Sequence, residues 1–113
     1  MSPSITTRYR ISDLNDAFRK VGPVSGQWML TRGVADQGAV FVALATRAVQ
    51  SYDRFRPEDD PYGEHDFGSF HLAGQKLFWK IDYYDSSLSY GSENPADPNV
   101  TRRVITIMLA SEY

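Results

Sequence analysis

The residues best suited to chemistry lie between Asp60 and Asp85, in DPYGEHDFGSFHLAGQKLFWKIDYYD, which holds both histidines of the chain. Glu64, His65 and Asp66 follow one another directly. A histidine flanked by carboxylates can be held as a general acid–base near neutral pH. Adjacent residues of an extended chain point to opposite sides, so the three converge only if a turn bends them together. The plainer reading is preferred: His65 hydrogen-bonds locally and the two acids stabilise the turn. Lys80 and Asp82 are spaced to share one strand face. Lys80 there suits a phosphate or carboxylate, with Asp82 orienting it or acting as a base. The plainer alternative is a surface ion pair worth about 0–1 kcal/mol. These two readings stand level, because Phe78 and Tyr84 fall on the same face and a purely solvated strand has no need of them.

Other chemistries are weakly signalled. His65 and His71 are poorly spaced for a metal, and oxygen-rich magnesium binding by Glu64, Asp66 and Asp82 is a nonspecific pattern. With no cysteine there is no thiolate site and no disulfide framework. No phosphate-cradling glycine loop, nucleophile elbow or dinucleotide fingerprint is present, so neither a metal nor a cofactor is expected. Arg54, Arg56, Arg102 and Arg103 could touch nucleic acid with Tyr83 or Tyr84 stacking on bases. Acidic neighbours at Glu58, Asp59 and Asp60 favour solvated charges instead.

The elements that must position these groups follow from periodicity. Phe67–Leu72 and Lys76–Tyr84 are rich in aromatic and branched residues and read as two strands. Ala73-Gly74 between them suits a tight hairpin. In the second strand Leu77, Trp79, Ile81 and Tyr83 point to the core, and Phe78, Lys80, Asp82 and Tyr84 point the other way. Upstream, Ile11, Leu14, Phe18 and Val21 predict a helix over Arg8–Lys20, capped by Thr7 or Ser12 and ended by Gly22-Pro23. Met1–Thr7 is expected to be flexible. Gln27–Val34 reads as a strand, and Asp36–Asp53 as a second amphipathic helix with Asp36 at its N-cap. Arg54–Asp59 reads as a charged loop. Ser86–Asn99 reads as a long loop with one short edge strand near Leu88–Tyr90. Asp97-Pro98 is a good helix start, so a C-terminal helix is expected over Pro98–Ser111. A strand over Arg103–Leu109 competes, because Val-Ile-Thr-Ile favours sheet. The predicted order is α-β-α-β-β-α: one α+β domain, a small antiparallel sheet of three to four strands with about three helices on one side.

With 113 residues the chain is one domain with a compact core. A hydrophobic fraction of 42% and an aromatic fraction of 13% fit a globular protein. The net charge of −2 argues against both a basic nucleic-acid coat and a strongly acidic mimic. There is no apolar secretion-signal core and no apolar run of membrane-spanning length, so a cytoplasmic location without a membrane partner is expected.

Three blocks carry a family resemblance. They are LNDAFRK at Leu14–Lys20, DPYGEHDFGSF with FWKIDYYD across Asp60–Asp85, and GSENPADPNVTRRVITIMLASEY at Gly91–Tyr113; MLTRGV at Met29–Val34 is a looser fit. Together they make the chain resemble the family called "domain of unknown function 3768". These are small proteins of alphaproteobacteria, often found on plasmids and other mobile elements. The family assigns no reaction. The resemblance implies a bacterial accessory protein, one that a mobile element carries against host defences.

The function expected on these grounds is a non-enzymatic interaction protein. It would bind and inhibit a bacterial protein or nucleoprotein target, an anti-CRISPR or other anti-defence role being the concrete version. Its binding residues would be Asp60, Tyr62, Glu64, His65, Asp66, Lys80, Asp82, Tyr84 and Glu93. The alternative is a small-ligand or nucleotide-binding protein or a hydrolase, with Glu64 or Asp82 as base, His65 as acid–base partner and Lys80 as anion stabiliser. A third version, a subunit of a mobile-element complex, would use the C-terminal helix as a dimer seam.

Overall fold

A computed structural model describes residues 9–25 and 27–113. In chain order it contains α1 (Ile11–Val21), β1 (Trp28–Leu30), α2 (Arg32–Ala35), α3 (Ala39–Gln50), β2 (Phe67–Leu72), β3 (Gln75–Tyr84) and β4 (Arg102–Leu109). Short 3-10 turns follow α1 at Pro23–Ser25 and β4 at Ala110–Glu112. The four strands form one sheet in the order β1-β4-β3-β2. The α+β class, the one-sided packing of the helices and the β2–β3 hairpin are as the sequence predicts.

Strand β3 is the spine of the sheet, paired antiparallel along both edges. Its alternation sorts the residues into two layers. Leu77, Trp79 and Ile81 are buried on one side with Ile105 and Ile107 of β4. Val34, Phe41, Ala45 and Val49 of α2 and α3 close over them to form the core. Fully burying such a side chain contributes roughly 1.5–3 kcal/mol. On the opposite side, no α-helix covers the sheet among the described residues, but the C-terminal turn closes over part of it and leaves Met108 only 4% exposed. The ring of Tyr113 folds back there against Phe67 and Phe78, at 5.8 and 5.1 Å between centroids.

The structure corrects the expected C-terminal helix. Arg102–Leu109 is a strand, with Arg103, Ile105 and Ile107 buried on the core side. Asp97 does start a turn, its carboxylate accepting from the Asn99 amide at 2.9 Å. The branched run Val104–Ile107 then favours the pleated sheet, where both β1 and β3 can pair with it. The dimer seam that a C-terminal helix would have supplied is therefore absent. The β1–β4 pairing is parallel, with Trp28 opposite Ile105.

Other boundaries also move. The expected strand Gln27–Val34 stops at Leu30, and its end becomes the single helical turn α2. Asp36 ends α2 instead of capping α3, and Gly38, with φ 97°, takes the N-cap of α3. Helix α3 stops at Gln50, short of Asp53. Helix α1 begins after Arg10, with Ser12 inside it, and Val21 is 63% exposed instead of buried. Thr7 as a cap, Arg8 as helix start and the flexibility expected of Met1–Thr7 lie outside the described residues. Near Leu88–Tyr90 there is a single bridge, Tyr84 to Gly91, and not a strand.

Gly68 shows how tightly the hairpin joins the helical layer. It lies opposite Trp79, where an added Cβ would run into the Trp79 indole and come within 2.6 Å of the Tyr52 ring. Gly68→Ala is therefore expected to cost about 1–3 kcal/mol through overpacking. A urea denaturation series checks this; an unchanged midpoint would mean that the two rings move aside freely.

Candidate functional site

The loop between α3 and β2 is shaped by one buried carboxylate. Asp60 is 7% exposed and accepts from the backbone amides of Glu64, at 3.0 Å, and His65, at 3.2 and 3.3 Å. This turns the chain back on itself, with Gly63 at φ 64° and His65 at φ 57°. The left-handed region is uncommon for a residue with a Cβ, and such strain persists only where the surroundings enforce it. Its effect is to send His65 one way and Glu64 the other.

His65 meets Asp16 of α1, its Nδ1 lying 3.0 and 3.1 Å from the two carboxylate oxygens. Its ring stacks on Phe55 at 3.9 Å, with the planes 3° apart. Its Nε2 is 4.0 Å from Asp60, beyond hydrogen-bond reach. Asp16 also accepts from Arg19 at 3.0 Å, and Arg19 donates to the Tyr52 carbonyl at 2.8 Å. The Arg19 guanidinium is almost fully buried against the rings of Phe55 and Trp79, at 5.3 and 5.2 Å from their centroids. Burial works against the Asp16 carboxylate, yet the hydrogen bonds from Arg19 and His65 outweigh it and hold the group below its usual range.

Glu64 enters a second network, centred on Asn15. The fully buried Asn15 donates to the Tyr83 hydroxyl at 2.8 Å and to the Glu64 carbonyl at 2.9 Å. Its amide oxygen accepts from Arg103 at 2.6 Å, and Tyr83 donates to the Glu64 carboxylate at 3.1 Å. Arg103 also donates to the Pro95 carbonyl and lies over the Tyr83 ring, so one strand arginine anchors the long loop as well. Burial pushes the Tyr83 hydroxyl up and pulls the Arg103 guanidinium down. Burial, and then the neighbouring Glu64 charge, pushes the Asp66 carboxyl up.

Lys80, Asp82 and Tyr84 are elsewhere. They lie on the uncovered side of β3, opposite Tyr83, and Lys80 pairs with Asp82 at 3.0 Å, both about 40% exposed. Tyr62 stands out on the loop at 87% exposed, and Glu93 is exposed beyond the Tyr84–Gly91 bridge. The sequence-derived set therefore separates into three places. Asp60, Glu64, His65 and Asp66 are built into the helix side of the sheet; Lys80, Asp82 and Tyr84 share the open side; Tyr62 and Glu93 are peripheral. Glu64 and His65 do not converge with Lys80 and Asp82, because the sheet stands between them.

Asn15, Asp16, Arg19, Phe55, Tyr83 and Arg103 complete the cluster without having been singled out for it. Alternation along β3 predicts Tyr83 as core, and acidic neighbours predict Arg103 as a solvated charge. Asn15 and Arg19, four residues apart on α1 and beside its apolar stripe, were the available signal. A loop that gathers Asp60, Glu64 and Asp66 around His65 needs nearby donors.

Chemically, the Asn15 network is closed: its polar groups bond to one another. The His65–Asp16 pair is the part that reaches solvent, beside a shallow 240 Å³ concavity lined also by Arg19, Lys20, Tyr52 and Phe55. Among the described residues, no group of three or more His, Asp or Glu side chains is arranged to hold a metal ion.

Asp16 and Asp66 titrate in opposite directions from their usual range and predict opposite pH behaviour. Asp16 is lowered in the folded state, so its stabilisation is present above the unfolded value and is lost as pH falls through the folded one. Asp16→Ala is expected to cost about 2–4 kcal/mol near neutral pH, with the deficit shrinking below about pH 4. Asp66 is raised, so its ionisation opposes folding at neutral pH. Asp66→Asn is expected to raise stability near pH 7 and to lose that advantage in acid. Urea midpoints across this range test both; parallel pH profiles for wild type and variants would contradict the network.

No curated protein and no solved structure matches the chain. Residues 30–112 match the family described as "Protein of unknown function (DUF3768)", a span that includes α2, α3 and all of β2, β3 and β4. The chain is a member of that family.

Proposed function

We propose that the chain is a small interaction protein that binds and inhibits a bacterial macromolecular target, with an anti-CRISPR or other anti-defence role as its concrete form. The observation that carries this reading is the uncovered side of the sheet. Met29, Thr106, Lys80 and Phe67 form one cross-strand row there, flanked by Phe78, Asp82 and Tyr84. Met29 is 58% and Tyr113 75% exposed. Aromatic rings and methionine around the Lys80–Asp82 pair, with Lys76 over Phe78 and exposed Arg102 opposite Tyr84, are what a protein-binding surface uses: apolar anchors for affinity and a fixed charge pattern for specificity. The occupant that suits this surface is a folded protein face with an acid and a base in complementary positions.

The resemblance to small mobile-element proteins of alphaproteobacteria supports the inhibitory version, and a cytoplasmic target follows from it. No helix of the described residues is long and apolar enough to cross a membrane. The hydrolase reading has less support, because its four residues stand on opposite sides of the sheet.

The Lys80→Glu/Asp82→Lys double variant tests the surface. It keeps the internal pair and the net charge, so folding stability is expected to change by less than about 1 kcal/mol. It reverses the pattern shown to a partner. Wild-type protein expressed in a host with active CRISPR immunity is expected to restore entry of a targeted plasmid. The folded double variant is expected to lose at least about tenfold of that effect, corresponding to about 1.4 kcal/mol. Full protection by the double variant would remove this surface from the proposal. No protection by wild type, together with turnover of a phosphoester panel, would replace binding by catalysis.

A further inference from the structure

We infer that a second copy of this chain pairs with the outer edge of β2, joining two sheets into one eight-stranded sheet around a two-fold axis. The Ile81 amide donates to the Asp66 carbonyl at 2.8 Å, so Asp66 and every second residue after it face β3. Phe67, Ser69 and His71 therefore turn their backbone groups away from β3. The Ser69 amide reaches the Tyr52 hydroxyl only at 3.4 Å, and among the described residues the His71 amide has no hydrogen-bond partner.

Edge strands of monomeric proteins are usually blunted by brevity, proline, bulges or charge. At the other edge, β1 is three residues long. Strand β2 has six residues, FGSFHL, with no proline, lysine or acid, and it pairs with β3 through six consecutive partners without a bulge. The Tyr52 hydroxyl is the one group bonded to its outer edge among the described residues, and a pairing strand would displace that 3.4 Å contact.

The space beside it fits this occupant. A cleft of about 570 Å³ runs between Ser69–His71 and the wall formed by Ala48, Ser51 and the segment from Tyr52 to Asp59. That wall carries Arg54 and Arg56 together with Asp53 and Asp59, and none of the four makes an ion pair among the described residues. Two cations and two anions on one wall suit neither a phosphate nor a nucleic acid. They suit a copy of themselves, because a two-fold axis can place each sign opposite the other. Antiparallel pairing about an axis through Ser69 sets Phe67 opposite the second copy's His71. The axis stands perpendicular to the sheet, so both helical layers lie on one side and meet across the cleft. Both uncovered sides then merge into one surface of twice the width.

The test is the mass in solution, measured by light scattering up to about 1 mM, where even weak association registers. Wild type is expected to approach twice the 12.8 kDa chain mass. Ser69→Cys supplies the chain's sole cysteine and is expected to form a covalent dimer under mild oxidation, since paired antiparallel residues lie about 5.5 Å apart at Cα. His71→Pro removes an outward amide, which an edge strand tolerates, and is expected to weaken association at least about tenfold while the chain stays folded by circular dichroism. Should that variant unfold, Ser69→Lys decides instead, by placing two like charges across the axis. A wild type that is monomeric throughout, or a folded His71→Pro or Ser69→Lys variant that associates as tightly as wild type, would overturn the pairing.

Discussion

One buried amide, that of Asn15, ties the helical layer to the sheet. It is the point where α1, the loop before β2, β3 and β4 are held together, because one side chain bonds to Glu64, Tyr83 and Arg103 at once. A buried amide left unpaired would cost about 1–3 kcal/mol, and a buried guanidinium more. The network is therefore not an addition to a finished core. Its members tolerate burial only when all are in place, which selects one position for α1 over the sheet. The Arg19–Asp16–His65 group lies a turn further along the helix and is less complete: the rings of Phe55 and Trp79 cover the arginine, and its buried Nε has no hydrogen-bond partner among the described residues. Few apolar residues of α1 are left to position it, since Asn15 and Arg19 occupy its most buried sites.

This arrangement divides the chain's polar residues by the side of the sheet they occupy. On the helix side, the acids and bases gathered around Asn15 and Arg19 are consumed by folding. On the open side, Lys80 and Asp82 bond only to each other and stay accessible among aromatic residues. Of the residues that look most catalytic in the linear chain, Glu64 and His65 are tied to Tyr83 and Asp16, while Asp66 is half-buried at a cost to its charged form. Lys80 and Asp82, which look like an ordinary ion pair, sit where a partner can reach them. The alternation of β3 produces the split: Tyr83, a neighbour of both Asp82 and Tyr84 in sequence, is on the opposite side from them.

Local pattern made much of the fold legible. The hairpin from Phe67 to Tyr84 could be read because period-two alternation and an Ala-Gly turn agree, and Ala73 and Gly74 both take positive φ, as a tight hairpin requires. The core positions Leu77, Trp79 and Ile81 follow from the same alternation. The C-terminal segment was ambiguous because two local signals conflict there. Asp97-Pro98 starts a helical turn, while Val104–Ile107 prefers a strand, and the outcome depends on β1 and β3 lying on either side of it. No local signal contains that information.

The α+β class, the strand faces and the concentration of titratable groups before β2 are legible in the linear chain, because these follow from side-chain type and short-range spacing. Tertiary structure alone decided which of those groups meet. Asn15 lies 88 residues from Arg103, and His65 lies 49 from Asp16. Such contacts form only when the sheet order and the placement of α1 are set, since hydrogen bonds between distant residues require both partners to be desolvated at one point. The same holds for the accessible surface. Whether Lys80 and Asp82 face water or a helix depends on which side of the sheet the helices cover, and that is a property of the assembled layers.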